Sequence, residues 1–125
     1  MSIVRAGDRR ESTTPNGAMT TCASPTLGGA SLSLWRVAMA PGARGPAHRF
    51  DGEQVWTVLH GRARLEVDGT TEELDVGDTA VVGPGVARQW HADPALGLEA
   101  MVAAPAGIRA SMLDGTDRGV PPWIA

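Results

Sequence analysis

Residues 53–76 read EQVWTVLHGRARLEVDGTTEELDV, and this stretch decides the fold class. Its first part, Glu53–His60, is rich in the β-branched and aromatic residues that favour strands. In Arg62–Asp68, apolar and polar residues alternate, which indicates a strand with one buried face. The dipeptide Asp68-Gly69 predicts a two-residue hairpin turn, and Thr70–Val76 then returns as the antiparallel partner.

The rest of the chain repeats this pattern of short strands between turn signals. With 16 glycines and nine prolines spread along the chain, little room remains for helices of ordinary length. Short strands at such regular spacing are typical of an all-β sandwich or barrel. The predicted strands are Ser31–Ala40, Glu53–His60, Arg62–Asp68, Thr70–Val76, Thr79–Val82, Val86–Ala92 and Leu98–Ala104.

Composition excludes several classes of protein. The chain has 125 residues, which suits one domain. It lacks lysine and tyrosine, so a Schiff-base lysine and a phenolic acid are excluded, and its one cysteine, Cys22, cannot form an internal disulfide. A net charge of −3 gives no footprint for nucleic acid or an anionic membrane. No signal peptide or membrane span is evident, so we expect a cytoplasmic protein. We expect neither nucleic acid nor a membrane as its partner.

Two further stretches carry a family resemblance. Residues 42–61 read GARGPAHRFDGEQVWTVLHG, and residues 77–91 read GDTAVVGPGVARQWH. Together they resemble the two signature motifs of the cupin superfamily over about residues 31–104. The positions that match are Gly42, His48 and Gly61 in the first motif, and Gly77, Asp78 and Gly85 in the second. The resemblance implies an all-β fold, a small antiparallel jelly-roll β-barrel.

The resemblance also implies a divalent metal held by three histidines and one glutamate, and here the donor set differs. The corresponding residues are His48, Phe50, Gln54 and Arg88. Phe50 has no donor atom, and the permanently protonated Arg88 would repel a dication. We therefore predict no metal at this place and no cofactor. A set made of His48, Gln54 and His91 stays open, although alternation directs His91 to the face opposite Arg88.

Strand alternation predicts what the barrel contains instead. It places Trp56 on the same inward face as Gln54, and Trp90 on the same face as Arg88. Gln54, Trp56, Trp90 and Phe50 are the predicted ligand-binding residues, with the indoles stacking on a planar ring. The rear of this pocket is predicted to be closed by Val58, Ala63, Leu65 and Val67. An apolar site with a few convergent polar groups is typical of small-molecule binding.

His48 and Arg88 are the candidate catalytic residues. His48 would move a proton near neutral pH, with a pKa lowered by the nearby arginine. Arg88 would hold a carboxylate, enolate or phenolate. Structural alternatives exist for each residue. Arg88 would then pair with Glu53 or Glu99, His48 would be a hydrogen-bonded structural residue, and the indoles would be core filler.

The two ends of the chain have separate predicted roles. Residues 1–30 are interpreted as an arm or edge strand, which the resemblance allows to be exchanged between the protomers of a homodimer. Residues 31–125 form the single barrel domain with an extended C-terminal tail. Trp35 is assigned to the core, and Trp123 is expected to pin the tail to the barrel or to a partner.

Three hypotheses for function remain from the sequence. The first is a metal-independent protein that binds an anionic or aromatic small molecule and catalyses proton transfer such as isomerisation, cyclisation or dehydration. The second is a non-catalytic module that binds or senses a small ligand in the same pocket. The third is a metal-dependent oxygenase or isomerase with an unconventional ligand set.

Overall fold

The computed structural model describes all 125 residues, and nearly all of its regular structure is β. The only helical element is a single 3₁₀ turn, Ala6–Asp8. No helix has the length and apolar character that crossing a membrane requires. The all-β prediction is therefore confirmed, in the form of two six-stranded antiparallel sheets.

The strands follow one another along the chain and alternate irregularly between the sheets. The first sheet has the order β1-β2-β3-β10-β5-β8, and the second has the order β12-β11-β4-β9-β6-β7. The bounds are β1 Arg10–Thr14, β2 Gly17–Ala23, β3 Leu32–Met39, β4 His48–Phe50, β5 Gln54–Gly61, β6 Ala63–Val67, β7 Thr70–Leu74, β8 Thr79–Val82, β9 Arg88–Ala92, β10 Leu98–Pro105, β11 Ala110–Met112 and β12 Asp117–Gly119. Neighbours distant in sequence, such as β3 and β10, give the jelly-roll arrangement.

The hairpin of β6 and β7 has the predicted register. Val67 pairs with Thr70, and the two turn residues between them have positive φ, 48° at Asp68 and 78° at Gly69. Two left-handed residues match the twist of the flanking strands, as the Asp-Gly signal predicts. Along β6, alternate side chains are buried and face the opposite sheet, while Arg64 is exposed.

Residues 10–23, which lie within the predicted arm, form a hairpin. Thr14 pairs with Gly17 at the tip, and β2 pairs with β3 of the same chain. The hairpin thereby adds two strands to the first sheet and makes β1 its edge. The exchange of this segment between protomers stays a prediction.

The core lies between the two sheets. Val58, Ala63 and Leu65 are buried there and Val67 is half-buried. None of the four lines the cavity between the sheets, so the prediction that they close the rear of the pocket is not confirmed. Trp35, Leu98 and Val102 from the first sheet are almost completely enclosed. Burying large apolar side chains from both sheets is the main stabilising contribution in such a sandwich.

The C-terminal tail packs on the barrel of its own chain. Ile124 is fully buried, and hydroxyl groups of the first sheet and the following loop bind the tail backbone. Thr21 Oγ1 donates a hydrogen bond to the Trp123 carbonyl at 2.8 Å. Ser33 Oγ donates to the Ile124 carbonyl at 2.6 Å, and Ser24 Oγ donates to the Ala125 carbonyl at 2.7 Å. These buried hydroxyls satisfy backbone groups that no strand pairs, so the tail has a fixed path that brings Trp123 to the barrel.

Candidate functional site

A cavity of about 160 Å³ lies between the sheets, and every aromatic residue of the chain lines it. A cavity of about 150 Å³ is known to hold a benzene ring, so this one accommodates a ligand body of single-ring size. No charged side chain lines it. The lining residues are Thr14, Asn16, Gly17, Met19, Trp35, Val37, Met39, Gly45, Pro46, His48, Phe50, Gln54, Trp56, Trp90 and Trp123.

Trp56 and Trp90 form one wall of the cavity by stacking on each other. Their ring centroids are 4.0 Å apart with an interplanar angle of 16°. Trp56 Nε1 also donates a hydrogen bond to Gln54 Oε1 at 3.2 Å. Each indole therefore has one face covered by the other. Stacking of a planar ligand ring on a remaining face stays a prediction.

Several lining residues were missed from the sequence. Trp35 is a core residue as expected, but it also lines the cavity, and Trp123 reaches the cavity from the tail. The β1–β2 hairpin supplies Thr14, Asn16 and Met19. Only the dipeptide Asn16-Gly17, which is a hairpin signal, could have indicated this part of the site.

His48 is the only titratable group that lines the cavity. Its Nδ1 lies 2.8 Å from the carbonyl oxygen of Pro46, and a carbonyl only accepts, so Nδ1 carries the proton. In the neutral ring, Nε2 is then the basic atom. Burial lowers the pKa of His48 and the charge of Arg88 lowers it further, while the bond to Pro46 partly offsets both. The imidazole is therefore neutral at pH 7.

This lowered pKa predicts how stability depends on pH. Below the ordinary value of 6.5, the unfolded chain binds a proton at His48 that the folded chain resists. We therefore expect the wild-type protein to lose stability as the pH falls below about 6.5. Between about pH 8 and about pH 5, the His48→Gln protein should lose less stability than the wild type. Urea unfolding of both proteins at the two pH values measures the difference. Equal losses in both would mean that His48 titrates normally in the folded state.

Arg88 is buried, as predicted, and has almost no polar partner. It is 2% exposed, and only Nη2 donates a hydrogen bond, to the Gly83 carbonyl at 3.2 Å. Its Nε and Nη1 atoms have no partner. Neither Glu53 nor Glu99 pairs with it, since Glu99 binds Arg36 instead. Burial lowers the pKa of Arg88 to about 10, so the group stays cationic at neutral pH.

Phe50 separates Arg88 from the cavity. The guanidinium carbon of Arg88 lies 5.4 Å from the centre of the Phe50 ring, and His48 touches the same ring edge-on with centroids 5.0 Å apart. Phe50 lines the cavity, whereas Arg88 does not. The expectation that the Arg88 side chain projects directly into the cavity is therefore corrected: its guanidinium is inside the protein but lies behind the Phe50 ring.

The residues present do not fit a divalent metal. No group of three His, Cys, Asp or Glu side chains could hold one anywhere in the structure. His91 is on the outer face of β9, with Nε2 3.2 Å from a Glu66 carboxylate oxygen, and it does not line the cavity with His48 and Gln54. His60 is exposed at the end of β5. A single imidazole beside a buried cation is a poor donor set for a dication.

Solved structures share this fold at low sequence identity. A cupin 2 domain-containing protein from Halorhodospira halophila has a TM-score of 0.71 and 17% identity, with 86% of this chain and 72% of that chain covered. A polyketide cyclase from Streptomyces resistomycificus has a TM-score of 0.72 and 20% identity, with 84% and 79% covered. For an oxalate decarboxylase variant from Bacillus subtilis the TM-score is 0.71 and the identity 16%. That match covers 79% of this chain but only 28% of the decarboxylase.

The sequence comparisons bear on the family. No curated protein matches the sequence. The family model described as a cupin domain matches residues 35–102, which is more than half of the chain. That range begins in β3 and ends in β10, so it includes both quoted motifs and most of the cavity lining, but neither the β1–β2 hairpin nor Trp123. With this match and the shared fold, the chain belongs to the cupin domain family.

Proposed function

We propose that the cavity binds a small, planar, largely apolar compound without the metal that cupins usually hold. The observation that carries this proposal is the gathering of all five aromatic residues of the chain around one cavity of about 160 Å³. A cavity lined mainly by apolar groups with a few polar ones is typical of small-molecule sites. The polar side chains here are Thr14, Asn16, His48 and Gln54.

The chemistry available in this cavity is proton transfer through His48. With Nδ1 bound to Pro46, neutral Nε2 can take a proton from an acidic C–H or O–H of the ligand and return it elsewhere. Such transfers can drive an isomerisation, the ring closure of a cyclisation, or a dehydration in which the protonated hydroxyl group leaves as water, and none of these reactions requires an oxidant or reductant. Ring closure is also the reaction named for one protein of similar fold, the Streptomyces polyketide cyclase.

Metal independence is supported by the donor set. Of the residues at the usual metal positions, only His48 offers a strong ligand atom, and Arg88 places a positive charge beside it. Elemental analysis of the purified protein tests this point. Stoichiometric iron, manganese, nickel or zinc would contradict it.

Binding in the cavity should be visible in tryptophan fluorescence, because all four tryptophans line it. We expect a saturable change of emission on titration with benzamide, a neutral compound of single-ring size. Val37→Phe fills the cavity from β3 and should abolish the change. The control, Val81→Phe, makes the same replacement at an exposed position of β8 and should bind normally. Absence of saturable binding, or unchanged binding in a folded Val37→Phe protein, would contradict the proposal.

The proton-transfer role of His48 can be tested once the natural compound is found by mass spectrometry of natively purified protein. His48→Gln should keep binding and lose turnover by about 10²–10⁴-fold, the usual contribution of a general acid or base. Unchanged turnover in this variant would show that His48 is not the acid or base. Binding without any turnover in the wild type would favour a non-catalytic binding module.

A further inference from the structure

We propose that Arg88 and Phe50 form a concealed anion subsite at the edge of the cavity. A ligand of single-ring size that carries one oxyanion, such as a carboxylate, enolate or phenolate, would turn the Phe50 ring aside and bind the guanidinium of Arg88. This inference rests on the proposed binding function of the cavity, and it assigns the charge of the ligand.

The unused donors of Arg88 are the first reason. A guanidinium has five N–H groups, and only Nη2 of Arg88 has a partner. Unpaired buried donors of a charged group are costly, and native proteins seldom keep them without a role. An oxyanion could accept hydrogen bonds from Nε or Nη1 while the bond to Gly83 remains intact.

The absence of an internal counter-ion is the second reason. Arg88 is in no ion pair: Glu99 pairs with Arg36, and Glu66 lies beside His91. The low exposure of Arg88 also keeps water from solvating its charge. An arriving anion would therefore meet a cation whose attraction is weakly screened and for which no carboxylate of the protein competes.

The position of Phe50 is the third reason. Its ring lines the cavity on one side and lies 5.4 Å from the guanidinium on the other. The face of an aromatic ring attracts a cation less strongly than an oxyanion does, so an anionic ligand can displace the Phe50 ring from the guanidinium. His48 in β4 lies opposite Arg88 in the neighbouring strand β9, as its partner in the antiparallel register. An anion held by Arg88 would therefore lie beside the group that transfers protons.

Benzoate and benzamide provide a matched pair of probes, since they differ mainly in charge. We expect wild-type protein to bind benzoate at least about tenfold more tightly than benzamide, as measured by tryptophan fluorescence. Arg88→Gln should reduce the two affinities to within about twofold of each other and leave benzamide binding unchanged. Phe50→Leu removes the ring that covers Arg88 and should raise the ratio of benzoate affinity to benzamide affinity above that of the wild type. Arg44→Gln removes an exposed charge and controls for net charge.

Acetate and acetamide provide a readout that does not depend on filling the cavity. Acetate should shift the Arg88 Nε–H resonance in NMR spectra, and acetamide should not. If benzamide fails to bind but acetate shifts this signal, the subsite stands and the proposed function of the cavity fails. If benzamide binds but benzoate has no advantage that Arg88→Gln removes, or if acetate leaves the signal unchanged, the subsite is overturned.

Discussion

Replacing Gly61 with alanine should destabilise the protein by about 2–5 kcal/mol, the largest single-residue effect on stability that we expect. Gly61 ends β5 with a φ of 75°, a left-handed conformation that costs other residues about 1–2 kcal/mol. An added Cβ would also lie 2.0 Å from the carbonyl oxygen of Gly97 and 2.8 Å from its carbonyl carbon. Both are backbone atoms, so the strand ends must separate, which adds a further overpacking cost of about 1–3 kcal/mol.

Gly69→Ala is the matched control for this variant. Gly69 has a similar φ of 78°, but nothing lies within 4 Å of the position of its added Cβ. It should therefore lose only the conformational part, about 1–2 kcal/mol. Urea unfolding followed by tryptophan emission measures both losses. Equal losses in the two variants would show that the contact with Gly97 does not constrain the fold.

The fold could be predicted because its signals are local. The Asp68-Gly69 turn, the alternation in β6 and the motif glycines such as Gly61 each act within a few residues, through backbone conformation or side-chain direction. Strand bounds were accordingly close: Thr79–Val82 was predicted as observed, and the other predicted strands differ by one or two residues at most of their ends. Residues 1–30 were interpreted only as an arm or edge strand, and their hairpin was not predicted because the polar segment around Asn16 lacks a strong alternating pattern. The short strands β11 and β12 were not predicted either.

The inward direction of the site residues could also be predicted, but their mutual contacts could not. Alternation correctly placed Gln54, Trp56, Arg88 and Trp90 inside. It carries no information on which inward side chains touch. The stacking of the two indoles and the cover that Phe50 forms over Arg88 join residues from opposite sheets or from separate strands. Such contacts depend on packing in three dimensions, which a single sequence does not specify.

The contribution of Trp123 shows the same limit at long range. This residue lines the cavity because hydroxyls of Thr21 and Ser33 bind the backbone of the tail. Those partners are far away in the chain: Thr21 is separated from Trp123 by 102 residues, and Ser33 from Ile124 by 91. The sequence indicated an extended tail, and only the fold brings its indole to the site.

Arg88→Met is expected to stabilise the protein by about 1–2 kcal/mol, although it changes a buried residue. The wild-type guanidinium leaves Nε and Nη1 unpartnered, and each unsatisfied buried donor costs about 1–3 kcal/mol. The variant loses the hydrogen bond to Gly83 and the contact with the Phe50 ring, which offset part of the gain. Methionine keeps a similar length and flexibility, so it can fill the space without a cavity.

Arg36→Met is the control, because Arg36 has a carboxylate partner in Glu99 and is partly exposed. Breaking that pair should cost about 0–1 kcal/mol, opposite in sign to the effect at Arg88. Urea unfolding near neutral pH compares the two variants. A loss of more than about 1 kcal/mol in Arg88→Met would mean that the guanidinium supports the fold. A gain would show that the protein retains a destabilising cation, which is expected of a residue kept to bind a ligand.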